Sequence, residues 1–272
     1  MSAPAMSAEA GLAAPIRRAR PVVHCITNTV TAGRVADALA AIGALPIMAL
    51  ALEESADVAA RAQALLLNCG TPSAARFEAM RAAGLRARSL GIPIVLDPVG
   101  CGASTWRTRS IADLASAVRP TIVRGNAPEI ATLAGLGGGG TLRGVTADLD
   151  GEAPRGVMVE SDGPSADPLV ALARSAASAL GGATILATGL VDVIVGPERT
   201  ITHRTGVPVL RDIVGAGDVL SALAAAAAAV HADPADAADA ALRLFAHAAR
   251  AAREQGPGGF WSAFLDALGA AP

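Results

Sequence analysis

Short apolar runs alternate with amphipathic stretches along most of the chain. Pro21-Val22-Val23-His24-Cys25-Ile26 is uninterrupted by charge. After it, residues 31–43 carry apolar side chains at 35, 38, 39 and 42, a helical spacing closed by Gly43. The strand-like pattern recurs at residues 45–49, 64–68, 93–97, 121–124 and 183–187. Helices are expected over 53–61, 73–90, 108–118 and 167–180, and from the turn Gly125-Asn126-Ala127-Pro128-Glu129 onward. Residues 191–195 and 200–204 flank Gly196-Pro197 and predict a hairpin. Beyond Gly215-Ala216-Gly217 the pattern is helical to the end, with breaks at Asp233-Pro234 and Gly256-Pro257.

The strands are apolar throughout rather than alternating, so both of their faces should be covered. The expectation is an α/β fold: a mostly parallel central sheet with helices on both faces. Residues 1–20, rich in Ala, Ser and Pro, are expected to be a flexible tail, and 21–272 a single domain. The glycine-rich residues 135–156 are expected to be a surface connection. Gly135 to Gly140 satisfies G-x-G-x-x-G, but it follows a helical segment instead of a strand, so a dinucleotide site is not expected there.

In open α/β sheets ligands bind beyond the carboxyl ends of the strands. The polar residues gather there: Asn28, Asn68 with Thr71, Asp97, Arg124 and Thr188 each close a strand. After the last of them comes Gly215-Ala216-Gly217-Asp218, followed by the longest helix-forming run in the chain. Glycines permit a turn whose successive N–H groups point the same way, and the helix that opens there adds unpaired amides and a positive dipole end. Such a turn attracts anions, phosphate above all. Asp218 is then either a helix cap or a base beside a phosphate.

The other candidates each carry two readings. Asp97 in Leu-Asp-Pro-Val-Gly is a Mg²⁺ ligand or an Asx turn before Pro98. Arg124 and Glu129 serve a phosphate and a metal's water shell, or form a local ion pair at the helix start. Thr188-Gly189 binds a phosphate or is a plain turn. His24 has no partner at metal-ligand spacing and reads as a core histidine. Cys101 has no evident activating base for a nucleophilic role.

Composition removes several chemistries. All 22 basic residues are arginine, so neither a Schiff-base lysine nor a Walker-type lysine is available. Tyrosine is absent as a general acid. A net charge of −2 gives no basic footprint for nucleic acid. Residues 219–230 are apolar but alanine-rich and too short to span a bilayer. Three cysteines without CxxC spacing suit a reducing, cytoplasmic setting, and no secretory signal pattern is apparent at residues 1–20.

Taken in order, His24-Cys25-Ile26-Thr27-Asn28, Pro46-Ile47-Met48-Ala49, Leu96-Asp97-Pro98-Val99-Gly100 with Gly102-Ala103, Arg124-Gly125-Asn126-Ala127-Pro128-Glu129-Ile130 and the Gly-Ala-Gly turn resemble the hydroxyethylthiazole kinases, the thiamine-salvage branch of the ribokinase-like superfamily. The resemblance runs from about Pro21 to Leu268. It implies a ribokinase-like three-layer fold and a homotrimer with sites between subunits. It also implies transfer of the ATP γ-phosphoryl group to the primary alcohol of 4-methyl-5-(2-hydroxyethyl)thiazole with Mg²⁺. By position, Asn28, Met48 and Gly215 would face the thiazole alcohol, Arg124 and Thr188 would meet ATP, and Asp97 and Glu129 would serve the metal. Asp218 would take the alcohol proton while the amides of Gly215, Ala216 and Gly217 receive the phosphoryl group. Many members have cysteine where this chain has Asp218, and the family's Thr-Gly-Glu is here Thr188-Gly189-Leu190. The alternatives are another kinase of this fold, such as one acting on hydroxymethylpyrimidine, an ADP-using repair lyase with a similar turn, or a non-catalytic ligand-binding relative.

Overall fold

A computed structural model describes residues 13–138, 167–204 and 207–272. In chain order the elements are α1 (Ala14–Ala19), β1 (Val22–Ile26), α2 (Ala32–Ala41), β2 (Leu45–Ile47), α3 (Leu52–Ala59), β3 (Ala64–Asn68), α4 (Ala74–Ser89), β4 (Ile94–Asp97), α5 (Thr105–Val118), β5 (Ile122–Asn126) and α6 (Ala127–Gly138). They continue as α7 (Asp167–Ala179), β6 (Thr184–Thr188), β7 (Asp192–Val195), β8 (Thr200–His203), a 3-10 turn at Pro208–Arg211, α8 (Ala216–Ala228), α9 (Pro234–Ala252) and α10 (Pro257–Ala270).

The strands form one sheet in the order β2-β1-β3-β4-β5-β6-β7-β8. β1 to β6 pair in parallel, and β7 pairs antiparallel to both β6 and β8, closing the expected hairpin. The apolar runs have the predicted cause. Leu66, Val95, Ile122, Leu186 and Ile194 enter a core under α2, α8, α9 and α10, while Leu65, Leu67, Ile94, Leu96, Val123 and Ile185 enter a second core under α4 to α7. Successive residues therefore feed opposite layers, and the architecture is the anticipated three-layer α/β fold.

Local signals set the helix starts. Ser73 accepts a hydrogen bond from the Arg76 N–H at 3.2 Å and caps α4. Ser104 does the same for Arg107 at 3.2 Å. That cap starts α5 at Thr105, three residues before the expected 108. Asp233 caps α9, with Pro234 at its first position. β5 runs on to Asn126, beyond the expected 124, because it keeps pairing with β6 as far as Asn126 opposite Thr188.

The tail expectation needs correction over its described part. Residues 14–19 form α1, and the Arg17 guanidinium donates to the carbonyls of Leu268, Gly269 and Ala271 at the end of α10. Those final carbonyls lack helical partners, and a cation suits that end of the dipole. Residues 1–12 lie outside the described residues. Of the expected 135–156 connection, 135–138 end α6 and the remainder likewise lies outside them.

Helices α4 and α5 meet where α4 has no side chain. A Cβ on Gly84 would lie 2.4 Å from Val118 Cγ1 and 2.9 Å from its Cβ. Gly84→Ala is expected to destabilise the protein by about 1–3 kcal/mol through overpacking, outweighing alanine's better helix propensity. A urea midpoint equal to wild type would show that the helices can part without loss.

Candidate functional site

The strand order reverses between β1 and β3, and the polar strand ends converge beyond that point. Asn68 and Asp97 are register partners at the ends of β3 and β4. Asn28 and Thr31 follow β1 directly. Over them lies the first turn of α8, which begins at Gly215 with φ +89°. A Cβ there would sit 2.5 Å from Thr31 Cγ2, so both the backbone conformation and the contact require glycine. Gly215 has no side chain to cap the helix; the Ala216 N–H turns back to the Ile213 carbonyl at 3.5 Å, while no side chain caps the amides of Gly217 and Asp218.

Asp218, in that first turn, does not cap the helix. Its Oδ2 accepts from the Thr31 hydroxyl at 2.5 Å and from Asn28 Nδ2 at 3.0 Å, and its Oδ1 accepts from Asn68 Nδ2 at 2.8 Å. Asn68 gives its second amide proton to Asp97 Oδ2 at 3.2 Å, so one amide bridges both acids. Asn28 donates its other proton to Asn68 Oδ1 at 3.1 Å, and its own Oδ1 accepts from the amides of Val30 and Thr31. The polar atoms of Asn28 are thus engaged within the protein. Any contact it makes with a ligand must use its remaining surface.

Asp97 is fully buried. Ser221 donates to its Oδ2 at 2.7 Å, and Arg124 Nη1 stands 3.7 Å away. Its Oδ1 is buried without a hydrogen-bond partner. Burial pushes this carboxyl up to about 7, against the pull of Arg124 and Ser221 and with the help of the Glu129 and Asp218 charges. Burial wins because a single guanidinium at 3.7 Å does not replace the lost water.

Arg124 donates to the Thr188 hydroxyl at 2.9 Å. It reaches the α8 turn because Gly217 has no side chain: a Cβ there would lie 2.2 Å from Arg124 Nη1. The anticipated local pair between Arg124 and Glu129 is not what forms. Glu129 accepts from the amides of Gly100 at 2.8 Å and Asn126 at 3.0 Å, while Asn126 Oδ1 accepts from the Glu129 N–H at 2.9 Å. This reciprocal box starts α6 and anchors the loop after β4.

A cavity of about 330 Å³ opens beyond β5 and β6, beside the α8 turn. Arg124, Thr188 and Gly217 line it together with the apolar Leu220, Leu242 and Phe245. Leu190, exposed, borders it as well. Met48 lies on the other side of the site, just past β2, half-buried against the α8 core. His24 is a core residue whose Nε2 is 2.8 Å from the Ala49 carbonyl, and burial lowers its pKa. Cys25, Cys69 and Cys101 are buried and free, with burial raising Cys25 to about 12, Cys101 to about 11 and Cys69 well above the ordinary thiol range. A nucleophilic Cys101 is not supported.

The site thus unites Asn28, Asp97, Arg124, Thr188, Gly215, Gly217 and Asp218, with Glu129 tied in through the loop after β4. Thr31 and Ser221 were not anticipated, and Asn68 had been noted only as a polar strand end. For Ser221 a signal existed: it lies three residues after Asp218, on the same face of α8. Among the described residues no group of three His, Cys, Asp or Glu side chains forms a ready metal cage, and no helix is long and apolar enough to cross a membrane.

Between about pH 4 and about pH 7 the folded protein holds a proton on Asp97 that the unfolded chain has released. Stability from this group is therefore present at low pH and lost as pH rises through that window. Ligand-free Asp97→Asn, which cannot ionise, is expected to lose less thermal stability than wild type over the same rise. Parallel Tm–pH curves would show that burial does not govern Asp97.

The sequence model described as the hydroxyethylthiazole kinase family matches residues 13–271. A hydroxyethylthiazole kinase of Halalkalibacterium halodurans is 40% identical over 259 residues, covering 93% of this chain and 92% of that protein. One from Methanoculleus marisnigri is 42% identical, covering 95% and 87%. The solved structure of a hydroxyethylthiazole kinase from Pyrococcus horikoshii superposes with a TM-score of 0.81 at 32% identity, covering 97% of this chain and 93% of that one. A pyridoxal kinase from Staphylococcus aureus in complex with ADP shares the fold at a TM-score of 0.59 and 15% identity, with coverage of 87% and 90%.

Proposed function

Because this chain belongs to the hydroxyethylthiazole kinase family, we propose that it transfers the γ-phosphoryl group of ATP to the primary alcohol of 4-methyl-5-(2-hydroxyethyl)thiazole, giving the phosphate used in thiamine synthesis. With α1 docked on α10, the chain from residue 13 onward acts as one kinase domain in the cytoplasm. The observation that carries the reading is the placement of Asp218: a carboxylate held by three side-chain donors, in the first turn of a helix that no side chain caps and whose Gly217 lies against Arg124.

The alcohol approaches from the side of Asn28, Met48 and Gly215. Its proton passes to Asp218 as the oxygen attacks phosphorus. Oδ1 of Asp218 carries one donor where Oδ2 carries two, so Oδ1 is the freer acceptor. The amides of Gly215, Ala216 and Gly217 receive the developing charge on the moving phosphoryl group. Arg124 and Thr188 hold the polyphosphate, and the apolar lining of the 330 Å³ cavity, Leu220, Leu242 and Phe245, takes the base of the nucleotide. Leu190 offers no acid there, so a nucleotide or metal role at that position falls away.

A divalent cation fits this donor set. The unpartnered buried Oδ1 of Asp97 would face it, directly or through water, and Glu129, already bonded to two amides, would act on its water shell. Mg²⁺ commonly uses one or two carboxylates with phosphate oxygens and water. When bound, it would neutralise charge on the transferred phosphate.

The assembly we propose is a homotrimer with sites between subunits. β2 is an edge strand that exposes Leu45 and Ile47, and Val30, Leu50 and Leu52 add to the exposed apolar surface. An uncovered apolar edge favours association, and light scattering that finds only monomer would reject this part.

A coupled kinase assay tests the function, run on the thiazole and hydroxymethylpyrimidine alcohols with and without Mg²⁺. Preference for the thiazole alcohol is expected, and phosphorylation of only the pyrimidine would reassign the substrate. Asp218→Asn should lower kcat by roughly 10²- to 10⁴-fold with little change in KM. A variant with near-normal kcat would remove Asp218 as the base.

A further inference from the structure

The α8 turn is braced from outside by the first turn of α2, and one member of that brace has no part in the chemistry above. Arg34 extends from α2 and donates through Nη1 to the Val214 carbonyl at 2.5 Å. Its guanidinium carbon stands 4.9 Å from the ring centroid of Trp261 on α10. Trp261 is itself seated edge-on against Phe260 and Phe264, with ring centroids at 5.6 Å and 5.5 Å, and both phenylalanines are fully buried. A continuous path of contacts therefore runs from the α10 aromatic core, through the guanidinium, to the carbonyl immediately before Gly215.

That carbonyl matters because of peptide geometry. In a trans, planar peptide the C=O and the following N–H point in opposite directions, and the protein contains no cis peptide among its described residues. Holding the Val214 oxygen toward Arg34 fixes the Gly215 N–H toward the opposite side, away from α2's guanidinium. Val214 is 64% exposed, so its own side chain does little to hold the peptide plane. Thr31, from the same end of α2, supplies the other half of the brace by packing on Gly215 and donating to Asp218. Arg34 also stands three residues after the α2 N-cap, where the helix dipole disfavours a cation. Its contacts to Val214 and Trp261 offset that repulsion.

We propose that Arg34 is a positioning residue: by clamping the Val214 carbonyl it aims the Gly215 amide at the phosphoryl group in flight, and Trp261 seats the clamp. The proposal rests on the kinase reading above. It adds a residue that touches neither substrate yet sets kcat, because a small misdirection of a preorganised donor weakens only the transition state.

The test compares wild type with Arg34→Ala, Arg34→Lys and Trp261→Leu in the full chain. Arg34→Ala is expected to lower kcat by about 10- to 100-fold with the KM values for ATP and alcohol unchanged. Arg34→Lys, which keeps a donor on a long stem, should recover part of that loss. Trp261→Leu should lower kcat in the same sense by less. Deuterium exchange should quicken at residues 214–218 in Arg34→Ala and stay as in wild type elsewhere. A wild-type kcat in Arg34→Ala overturns the proposal. So does a loss that follows only the folded fraction and is not recovered by lysine. If wild type itself ignores the thiazole alcohol, the functional reading fails instead. The exchange measurement then decides this one alone: acceleration confined to 214–218 supports the clamp, and no acceleration refutes it.

Discussion

The close seating of α8 on the sheet is the constraint from which the site follows. From Val219 to Ala228 every residue of that helix is buried, and most of them are alanine. Methyl side chains let the helix axis approach the strands closely, as larger residues would not. Only at that distance can Asp218 reach Asn68 and Ser221 reach Asp97, across the gap between a helix and the ends of β3 and β4. The polar network is in effect the upper rim of an alanine interface.

Within that rim the hydrogen bonding is saturated in a way that determines orientation. Each of the two amide groups, Asn28 and Asn68, has both protons and its oxygen assigned to named partners. Neither can flip without stranding a donor against a donor. Beside them, the Oδ1 of Asp97 and the Nε of Arg124 are buried without a partner, and burial raises the proton affinity of Asp97. Satisfied groups hold the geometry, and the unsatisfied ones mark where a charged ligand can bring compensation.

Much of this was legible in the amino-acid order. Strand and helix alternation, the parallel sheet, the antiparallel hairpin and the gathering of Asn28, Asp97, Arg124 and Asp218 at one edge all follow from period and position. Three kinds of information were not. The first is reciprocity: the Asn126–Glu129 box looks the same in sequence as a helix-start ion pair, and only coordinates show that Arg124 turns instead to Asp97 and Thr188. The second is long-range reach, as when Arg17 finds the end of α10 and converts an apparent tail into a helix. The third is shared occupancy. Asn28 reads as a ligand contact, yet its amide is spent on two neighbours, a fact set by residues 40 and 190 positions away.

The burial of all three cysteines carries a practical corollary. Cys25, Cys69 and Cys101 lie in the two cores or against them, with thiols too weakly acidic to yield much thiolate near neutral pH. Maleimide and iodoacetamide reagents attack thiolate, so the folded protein should be nearly silent to them. A cysteine introduced on the exposed face of α9 or at Val214 would then be the sole fast-reacting position. Fluorophores or spin labels can accordingly be installed beside the α8 turn without first stripping the native sulfur from the interior.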